Sequence, residues 1–269
     1  KGVLTGPGQL HVSYVHSPMR YAWDLQHQYL REAGMETGLK GLYTRHLLHR
    51  MRMRDRASAL NPDVVVANSS YIGERIRKAW RRESIVVHPP VDVERFALRD
   101  AKEDFYLVAS RMVPYKRIEL IAEAFRRMPG RRLVVVGDGP NAPQVRAAAS
   151  GAANVELRGR VGTAELVTLT QTARACVFAA EEDFGIATVE AQACGTPAIA
   201  FGKGGARDIV QPGRTGVFFE AQTSDAIIAA VEGFESLSID PAVCRANAER
   251  LSHGAFRAAM RRGGEEARR

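Results

Sequence analysis

The sequence predicts an α/β protein built from doubly wound parallel sheets. Short runs rich in valine and alanine alternate with longer segments of helical periodicity along most of the chain. This alternation is typical of parallel βαβ units, in which a helix connects two neighbouring strands through a right-handed crossover. Two adjacent prolines interrupt the pattern at His88–Asp92, where neither a ladder nor a helix can continue. The sequence therefore predicts two such domains.

Each predicted strand is a short run of apolar residues followed by a polar or glycine-containing turn. These strands are Val64–Ala67, Ile85–Val87, Tyr106–Ala109, Leu133–Val136, Val155–Leu157, Cys176–Ala179 and Ala198–Ala200. A further strand begins at Val12 and ends at His16. Helical spacing of apolar residues is clearest in Ile118–Arg127, which terminates before Pro129 and Gly130.

The domain boundaries follow from this pattern. We expect a first domain over residues 1–92, a second over 93–250, and a segment 251–269 that packs back towards the first domain as a helix with a frayed tail. From Asp104 onward the strands and helices suffice for a complete doubly wound domain. The first domain supplies only two or three strands, so we expect it to be incomplete, with an unpaired edge and an uncovered face. Either further residues precede Lys1 in the natural protein or this piece is poorly stable alone.

Composition is that of an ordinary globular chain. With 45% hydrophobic and 25% charged residues, it can form a sizeable core. No apolar run approaches the roughly 20 residues that cross a bilayer, and the first residues are not a signal peptide, so we expect a cytoplasmic protein. Cys176, Cys194 and Cys244 lie in apolar or small-residue contexts without metal-ligand spacing and are predicted to be reduced core thiols.

A basic segment carries much of the net charge of +8. Its densest part, Arg45–Arg56, lies in a segment where Leu39, Tyr43, Leu47 and Met51 recur at i+4 spacing, which predicts a helix. Such charge fits a solvated face, an anionic membrane or phosphate-bearing acceptor, or nucleic acid. No aromatic stacking platform accompanies the cluster, so we expect no nucleic acid partner and keep a peripheral position at the inner face of the membrane open.

The most informative segment, Glu182–Pro197, follows an apolar run over Ala175–Ala179. Ile186–Ala193 predicts a helix whose free first-turn N–H groups attract anions. Glu182 and Glu190 flank the start of this helix, and a rise of about 1.5 Å per residue places them roughly 12 Å apart. Glycosidase carboxylates are roughly 5 to 9.5 Å apart. The spacing therefore favours two carboxylates that hold different hydroxyls of one long ligand, such as a nucleotide sugar.

A cationic loop, Ser110–Arg117, follows the strand that ends at Ala109. Ligands of open parallel sheets bind outside the carboxyl ends of the strands. Arg111 and Lys116 are therefore placed to face a diphosphate, since a guanidinium fork and a compact ammonium both bind phosphate oxygens. Two cations that flank a turn are also common on protein surfaces.

Glycines follow the next predicted strand, in Val134–Pro140. Gly137 and Gly139 there permit either a close approach to a ligand or a positive φ. The pattern lacks the third glycine of the dinucleotide fingerprint. A structural turn and a ligand contact both remain open.

Together these motifs resemble those of the retaining glycosyltransferases of the GT-B fold, in the family 4 group that uses nucleotide-diphosphate sugars. The resemblance covers nearly the whole sequence and is most specific in Glu182–Pro197. It implies two Rossmann-like domains that face a cleft. It also implies that Glu182 contacts the transferred sugar, Glu190 the ribose hydroxyls, and Arg111 and Lys116 the diphosphate.

The resemblance extends to weaker positions. It implies further donor contacts at Gly137, Gly139, Arg160, Val161, Phe184, Gly185 and Ile186, and a turn beneath the sugar at Gly202, Gly204 and Gly205. His16 resembles the active-site histidine of the family, although a lone histidine at a strand end is usually structural. Asn68 and Ser69 lie at the equivalent rim of the first domain and are predicted acceptor contacts, while a helix cap is equally good chemistry for either.

The expected reaction moves a hexose, mannose from GDP-mannose, to a glycan or lipid-linked acceptor with retention of configuration. We expect no metal or other cofactor, because no Asp-x-Asp precedes a glycine turn and no His/Cys cluster has ligand spacing. Two alternatives stay open. One is a nucleotide-sugar-binding fragment without catalysis, since the upstream strand and glycine-rich loop of the family are absent from this sequence. The other is a GT-B nucleotide-sugar epimerase.

Overall fold

The computed structural model describes residues 1–266, with all of their side chains except those of Glu32 and Glu266. The chain forms two compact units, Lys1–His88 with the chain from Arg257 on, and Pro89–Phe256. The division falls within the prolyl break expected at His88–Asp92. The segment expected to fray from Gly263 is helical as far as Glu266, and residues 267–269 of that predicted tail lie outside the described residues.

The first unit contains a parallel sheet of three strands in the order β1-β2-β3. Its elements are β1 (Val12–Val15), α1 (Gln26–Glu32), α2 (Gly38–Ser58), β2 (Val64–Ala67), α3 (Ser70–Trp80) and β3 (Ile85–Val86). Every residue of β2 is buried, as the all-apolar sequence of a central parallel strand requires. The edge strands β1 and β3 are less covered, and Val12 and Val86 are each 38% exposed.

Helix α2 confirms the helix predicted from the i+4 row, but the row does not mark its buried face. Leu39, Tyr43 and Leu47 are 86%, 64% and 40% exposed. Because four residues advance a helix by about 400°, an i+4 row drifts by about 40° at each step and winds around the axis. The buried residues of α2 are Gly41, Leu48 and Asp55.

Asp55 fixes the inner face of α2. Its carboxylate is 2% exposed and accepts hydrogen bonds from the indole Nε1 atoms of Trp23 at 2.9 Å and Trp80 at 2.7 Å. Lys1 completes the set with an ion pair to the same carboxylate. A buried carboxylate is stable only when it is paired and hydrogen-bonded in this way, so α2 is held in one rotational orientation.

The second unit contains a parallel sheet of six strands in the order β6-β5-β4-β7-β8-β9. The strands are β4 (Tyr106–Ala109), β5 (Leu133–Val136), β6 (Val155–Gly159), β7 (Ala175–Phe178), β8 (Ala198–Phe201) and β9 (Gly216–Phe219). The strands from β4 to β8 match the sequence-based predictions to within two residues, and β9 was missed. The chain adds β5 and β6 on one side of β4 and then returns to add β7 on the other.

Helices cover both faces of this sheet. They are α4 (Ile118–Arg126), α5 (Ala142–Ala148), α6 (Thr163–Thr172), α7 (Ile186–Ala193), α8 (Ala206–Ile209), α9 (Ser224–Glu235) and α10 (Pro241–Glu249). The last helix, α11 (His253–Glu266), belongs to the first unit from Arg257 on. Tyr106 of β4 belongs to the cluster with α4, α5 and α9, while Leu107 belongs to the cluster with α6 and α7. This alternation is the period of two that a strand buried on both faces shows. No helix within residues 1–266 is long and apolar enough to span a membrane.

The three cysteines are free and buried, as predicted for core thiols. Burial raises the pKa of the Cys194 and Cys244 thiols to about 12. A thiol that stays protonated in an apolar site is a weak nucleophile and packs as a small hydrophobic residue.

A network of hydrogen bonds between buried polar side chains holds the inner face of α7 against its neighbours. Gln192 of α7 is fully buried and donates through Nε2 to the hydroxyl of Thr215 at 3.1 Å. Asn247 of α10 donates through Nδ2 to Oε1 of Gln192 and to the carbonyl of Ile209 at 2.7 Å. Its Oδ1 accepts from Nε2 of Gln211 at 2.7 Å. These bonds connect α7, α8 and α10, so removal of one member leaves several partners unsatisfied.

We expect Asn247→Leu to lower the free energy of unfolding by about 2 to 4 kcal/mol, since buried partners lose their hydrogen bonds while the volume is kept. Urea unfolding followed by circular dichroism measures this, because both tryptophans, Trp23 and Trp80, lie in the first unit and their fluorescence does not report on the second. The control is the exposed Asn61, where the same substitution is expected to change stability by no more than about 0.5 kcal/mol. An Asn247→Leu protein as stable as the wild type contradicts the role of the network.

Candidate active site

The predicted site residues of the second unit follow the carboxyl ends of its strands. Arg111 and Lys116 come after β4, and Glu182 comes after β7. Gly137 and Gly139 come after β5, and Arg160 and Val161 after β6. The strand order reverses between β4 and β7, and the crevice at such a switch point is where open α/β sheets bind ligands.

An ion pair joins the loops on the two sides of this switch point. The Lys116 ammonium contacts the Glu182 carboxylate, and the two side chains are 24% and 25% exposed. The Lys116 Nζ also lies 5.3 Å from the centroid of the Tyr115 ring. Lys116 ends a short 3-10 helix, Pro114–Lys116, and is held at this place by the turn that leads into α4. The structure thus brings together the cation and the acid that sequence analysis assigned to the diphosphate and the sugar.

Two glycines hold the backbone of Glu182. The Glu182 carbonyl accepts a hydrogen bond from the N–H of Gly205 at 2.9 Å, and Glu182 pairs with Gly204 in a parallel bridge. A Cβ on Gly204 would lie 2.2 Å from the Glu182 oxygen, and one on Gly205 would lie 2.3 Å from Cα of Phe184. These glycines are therefore required by the packing of two backbones, and through that packing they position the acid.

Close packing of two backbones also requires the glycines at positions 137 and 139. A Cβ on Gly137 would lie 1.9 Å from the Ser110 carbonyl oxygen, and one on Gly139 would lie 2.3 Å from that of Met112. Gly137 also has φ +131°, which L side chains rarely adopt. The turn after β5 therefore packs on the loop after β4, which carries Arg111. A contact of these glycines with a donor stays a prediction.

Helix α7 begins beside Glu182 without a side-chain cap. Gly185 occupies the N-cap position with φ +106°, and no acidic residue lies in the first turn. Ile186 opens the helix and is 47% exposed. The uncapped N–H groups of this turn carry the partial positive charge of the helix dipole, which suits an anion.

Cations occupy the opposite end of α7. The Lys102 ammonium donates to the carbonyl of Cys194 at 3.0 Å, to that of Gln171 at 2.8 Å and to the hydroxyl of Thr196 at 2.9 Å. Arg245 donates to the carbonyl of Ala193 at 3.2 Å. Burial lowers the pKa of Lys102. Sequence reasoning missed both cations, since these carbonyls lie far from them along the chain.

Glu190 lies half-buried on α7. Burial raises the pKa of its carboxyl, and the positive charge of Arg95 opposes that rise. Arg95 belongs to a short 3-10 helix, Val93–Arg95, and no local pattern in the sequence marks it as a partner of Glu190. A desolvated carboxylate is a strong hydrogen-bond acceptor, so Glu190 is suited to bind the hydroxyls of a ligand.

The other predicted donor contacts have different surroundings. Phe184 is 4% exposed and packs in a cluster with Val189 and Ile209, so its ring anchors the Glu182 loop in the core. The side chain of Arg160 is 82% exposed and lies 4.0 Å from the Asp138 carboxylate. Val161 is partly buried against the cluster that covers the sheet beside α6. Of these side chains, only that of Arg160 is largely open to a ligand.

The first unit contains the remaining predicted residues. His16 is exposed directly after β1, and its ring meets the Tyr14 ring edge-on at 5.4 Å. Asn68 and Ser69 are 3% and 0% exposed, and the Ser69 hydroxyl caps α3 by accepting from the N–H of Ile72 at 3.1 Å. Ser69 therefore acts as a helix cap, which was the alternative to an acceptor contact. A catalytic role of His16 and the acceptor contacts stay predictions.

The charges of the second unit define what this site can bind. Arg111, Lys116 and the start of α7 suit phosphate oxygens, while Glu182 and Glu190 suit hydroxyls. Within residues 1–266 no group of three or more His, Cys, Asp or Glu side chains is arranged to hold a metal ion. The arrangement fits a ligand that joins a pyrophosphate to hydroxyl-bearing groups.

The fold is the GT-B fold of glycosyltransferases. Residues 90–251, more than half of the chain and nearly all of the second unit, match the family described as Glycosyl transferases group 1. The chain belongs to this family.

Curated relatives match a large part of the chain. D-inositol 3-phosphate glycosyltransferase of Mycobacterium marinum is 33% identical over 172 residues, which is 55% of this chain and 36% of that protein. GDP-mannose-dependent alpha-(1-6)-phosphatidylinositol monomannoside mannosyltransferase of Mycolicibacterium smegmatis is 31% identical over 207 residues, which is 63% of this chain and 52% of that protein. The chain spans about half or less of the length of these relatives.

Solved structures support the fold. Sucrose-phosphate synthase from Thermosynechococcus elongatus superposes with a TM-score of 0.70 at 22% identity, over 96% of this chain and 67% of that chain. HepE from Anabaena, in complex with UDP, gives a TM-score of 0.70 at 16% identity, over 96% of this chain and 72% of that chain. At these identities the likeness concerns the fold alone, and it confirms the predicted GT-B class.

The raised pKa of Glu190 predicts a defined pH dependence of stability. Below about pH 4.5, the ordinary value, the carboxyl is protonated in both folded and unfolded chains. As the pH rises, the unfolded chain ionises first, so the wild type loses stability until the folded pKa is passed. We therefore expect ligand-free Glu190→Gln to be more stable than the wild type at pH 7, with a difference that closes towards pH 4.5.

Urea unfolding at a series of pH values measures this difference. The control is Glu103→Gln, a substitution at an exposed glutamate of the same unit, which is expected to show no such dependence. If the stability advantage of Glu190→Gln is absent at pH 7, or grows towards acid, the carboxyl is not held in a desolvating site.

Proposed function

We propose that this chain is part of a retaining glycosyltransferase that moves mannose from GDP-mannose to a glycan or lipid-linked acceptor. The family and the fold support transfer of a sugar. The observation that carries the proposal is the contact of Lys116 with Glu182 at one switch point. The ammonium is suited to phosphate oxygens and the carboxylate to sugar hydroxyls.

The nature of the donor is proposed from two sources. The site offers two cations and a free helix start for a diphosphate, and Glu190 for the ribose. The relative from Mycolicibacterium smegmatis is named for its dependence on GDP-mannose. No catalytic metal or other cofactor is invoked, because Arg111, Lys116 and the N–H groups at Gly185 and Ile186 can together balance the diphosphate charge. Preorganised donors of this kind contribute about 3 kcal/mol each to the stabilisation of a transition state.

The proposed reaction proceeds on one face of the sugar. The bond between the anomeric carbon and the diphosphate oxygen breaks, and the electron pair stays on the diphosphate. An acceptor hydroxyl forms its bond to the same carbon from the same face, and its proton passes to the departing phosphate oxygen. Configuration is thereby retained without a covalent sugar-enzyme intermediate. In this scheme Arg111 and Lys116 stabilise the charge that develops on the diphosphate.

The acceptor is the less defined part of the proposal. The named relatives act on inositol 3-phosphate or on a phosphatidylinositol mannoside, which are both phosphorylated and rich in hydroxyls. His16, exposed at the end of β1, and the rim at Asn68 and Ser69 are the predicted acceptor-side residues of this chain. An acceptor in a lipid bilayer would place the enzyme at the inner face of the membrane.

Two other functions make different demands on the same site. A donor-binding module without transfer is favoured by the location of all the donor-side candidates in the second unit. A nucleotide-sugar epimerase would use the same donor and need no acceptor. Product analysis with and without an acceptor separates the three, since only a transferase needs both substrates to release GDP and a mannosylated product.

We expect GDP-mannose to raise the melting temperature of the chain more than UDP-glucose or ADP-glucose does, since a ligand specific to the folded state stabilises it by mass action. Lys116→Ala and Arg111→Ala should each weaken donor binding by roughly 10- to 150-fold, the value of a charge-assisted hydrogen bond of about 1.5 to 3 kcal/mol. Arg126→Ala on the exposed side of α4 is the matched control and should bind as the wild type does. Equal shifts for all three nucleotide sugars, or unchanged binding in both site variants, contradict the donor assignment.

In a transfer assay with GDP-mannose and either inositol 3-phosphate or phosphatidylinositol monomannoside, we expect Lys116→Ala to reduce turnover by about two orders of magnitude. Glu190→Ala should mainly raise the KM for the donor, because ribose contacts form equally in ground and transition states. Accumulation of an epimerised donor without acceptor would support the epimerase instead. Donor binding with no transfer to either acceptor would support the binding module.

A further inference from the structure

We propose that Gln222 is a positioning residue for Glu182. Gln222 lies in the segment that connects β9 to α9, and its Nε2 donates a hydrogen bond to the carbonyl of Ala179 at 2.7 Å. Ala179 directly follows β7 and comes shortly before Glu182 in the loop that carries this acid. The inference rests on the proposed function, in which Glu182 binds the transferred sugar.

The carbonyl that Gln222 binds is buried. Ala179 is 1% exposed, and the next residue, Ala180, is 6% exposed. A buried carbonyl that loses its donor is costly, so the backbone at Ala179 stays within reach of the Gln222 amide. The strand order β7-β8-β9 means that this amide reaches across the end of β8 to the loop after β7. The start of the loop that carries Glu182 is therefore fixed by a side chain from another strand.

Gln222 is itself attached to a rigid element. It precedes Thr223, whose hydroxyl caps α9 by accepting from the N–H of Ala226 at 3.2 Å. Helix α9 buries Ile227 and Val231 completely in the cluster that covers one face of the sheet. An amide beside a capped and buried helix start has little freedom, so its contact is set before any ligand binds.

Glu220 supports the same acid by a second route. Its carboxylate lies against Gly202, where a Cβ would be 2.7 Å from Oε1. Arg207 donates through Nε to the carbonyl of Gly202, and its Nη2 lies 3.5 Å from the Glu220 carboxylate. Gly202 begins the loop whose Gly204 pairs with Glu182 in a parallel bridge. The side chains of Arg207 and Glu220 are largely exposed, so their ion pair is the weaker support and Gln222 the stronger one.

The position of Glu182 affects a sugar more than a nucleotide. In the proposed function, GDP retains the groups that Arg111, Lys116 and Glu190 bind, and it lacks only the mannose. A hydrogen bond weakens steeply when its distance or angle departs from the favoured range. A small displacement of the Glu182 carboxylate should therefore weaken the binding of GDP-mannose and leave that of GDP unchanged.

The test measures the Kd of the 269-residue chain for GDP and for GDP-mannose by calorimetric titration. The sugar preference is the Kd for GDP divided by the Kd for GDP-mannose. Gln222→Met keeps the length of the side chain and removes the donor. We expect it to lower the sugar preference by about three- to tenfold, the value of one neutral hydrogen bond, with an unchanged Kd for GDP.

A double-mutant cycle checks whether Gln222 acts through Glu182. Glu182→Gln alone should lower the sugar preference. In that background Gln222→Met should cause no further change, because the carboxylate that Gln222 positions is gone. Additive effects of the two substitutions would contradict a positioning role.

The matched control is Gln171→Met. Gln171, in the last turn of α6, also donates through Nε2 to a backbone carbonyl, that of Ala97 at 2.9 Å. The control removes the same kind of bond from the same unit and should keep the sugar preference of the wild type, even where thermal melting shows a similar loss of stability. Circular dichroism verifies that each variant is folded.

The outcomes separate this inference from the proposed function. If Glu182→Gln lowers the sugar preference and Gln222→Met does not, only the role of Gln222 is overturned. An equal loss in Gln171→Met would reduce the effect to general destabilisation and would also overturn it. If Glu182→Gln leaves the preference unchanged, or the wild type binds neither nucleotide, the proposed function fails and this inference fails with it.

Discussion

The pairing of β4 with β7 is the constraint on which the site depends. Tyr106 pairs with Ala175 and Leu107 with Cys176, so the loops that leave these two strands start side by side. Parallel strands align their carboxyl ends, and the reversal of strand order at this point sends the two following helices to opposite faces. The space between the loops is then lined by Lys116 on one side and Glu182 on the other. Residues that are 66 positions apart thereby contact each other.

Several interactions hold this arrangement before any ligand binds. The glycines at 204 and 205 allow the backbone of Glu182 to lie against the next loop, and Gly137 does the same for the loop that carries Arg111. Helix α7 is anchored at its last carbonyls by Lys102 and along its inner side by Asn247. In the proposed reaction, such packing would reduce the reorganisation needed when charge develops on the diphosphate, which is the main source of electrostatic catalysis.

Much of the fold was predictable because its signals are local. The strand Val64–Ala67 and the helix Ile186–Ala193 have the predicted bounds, since a short apolar run and a glycine before a helix each act within a few residues. Strand β9 was missed because it is a short edge strand that begins at a glycine. Arg95 and Lys102 could not be predicted, because their partners are set by tertiary packing. The i+4 row of α2 predicted the helix but not its buried face, because that face is decided by the tertiary contacts of Leu48 and Asp55.

A crystal structure with bound GDP-mannose tests the central claim most directly. The account predicts that the diphosphate lies within hydrogen-bond distance of Arg111 and Lys116, with the Lys116 ammonium turned from Glu182 towards phosphate. Glu182 then contacts a hydroxyl of the mannose, and Glu190 contacts the ribose. A bound nucleotide sugar whose diphosphate lies elsewhere, with the Lys116–Glu182 pair intact, would contradict the account.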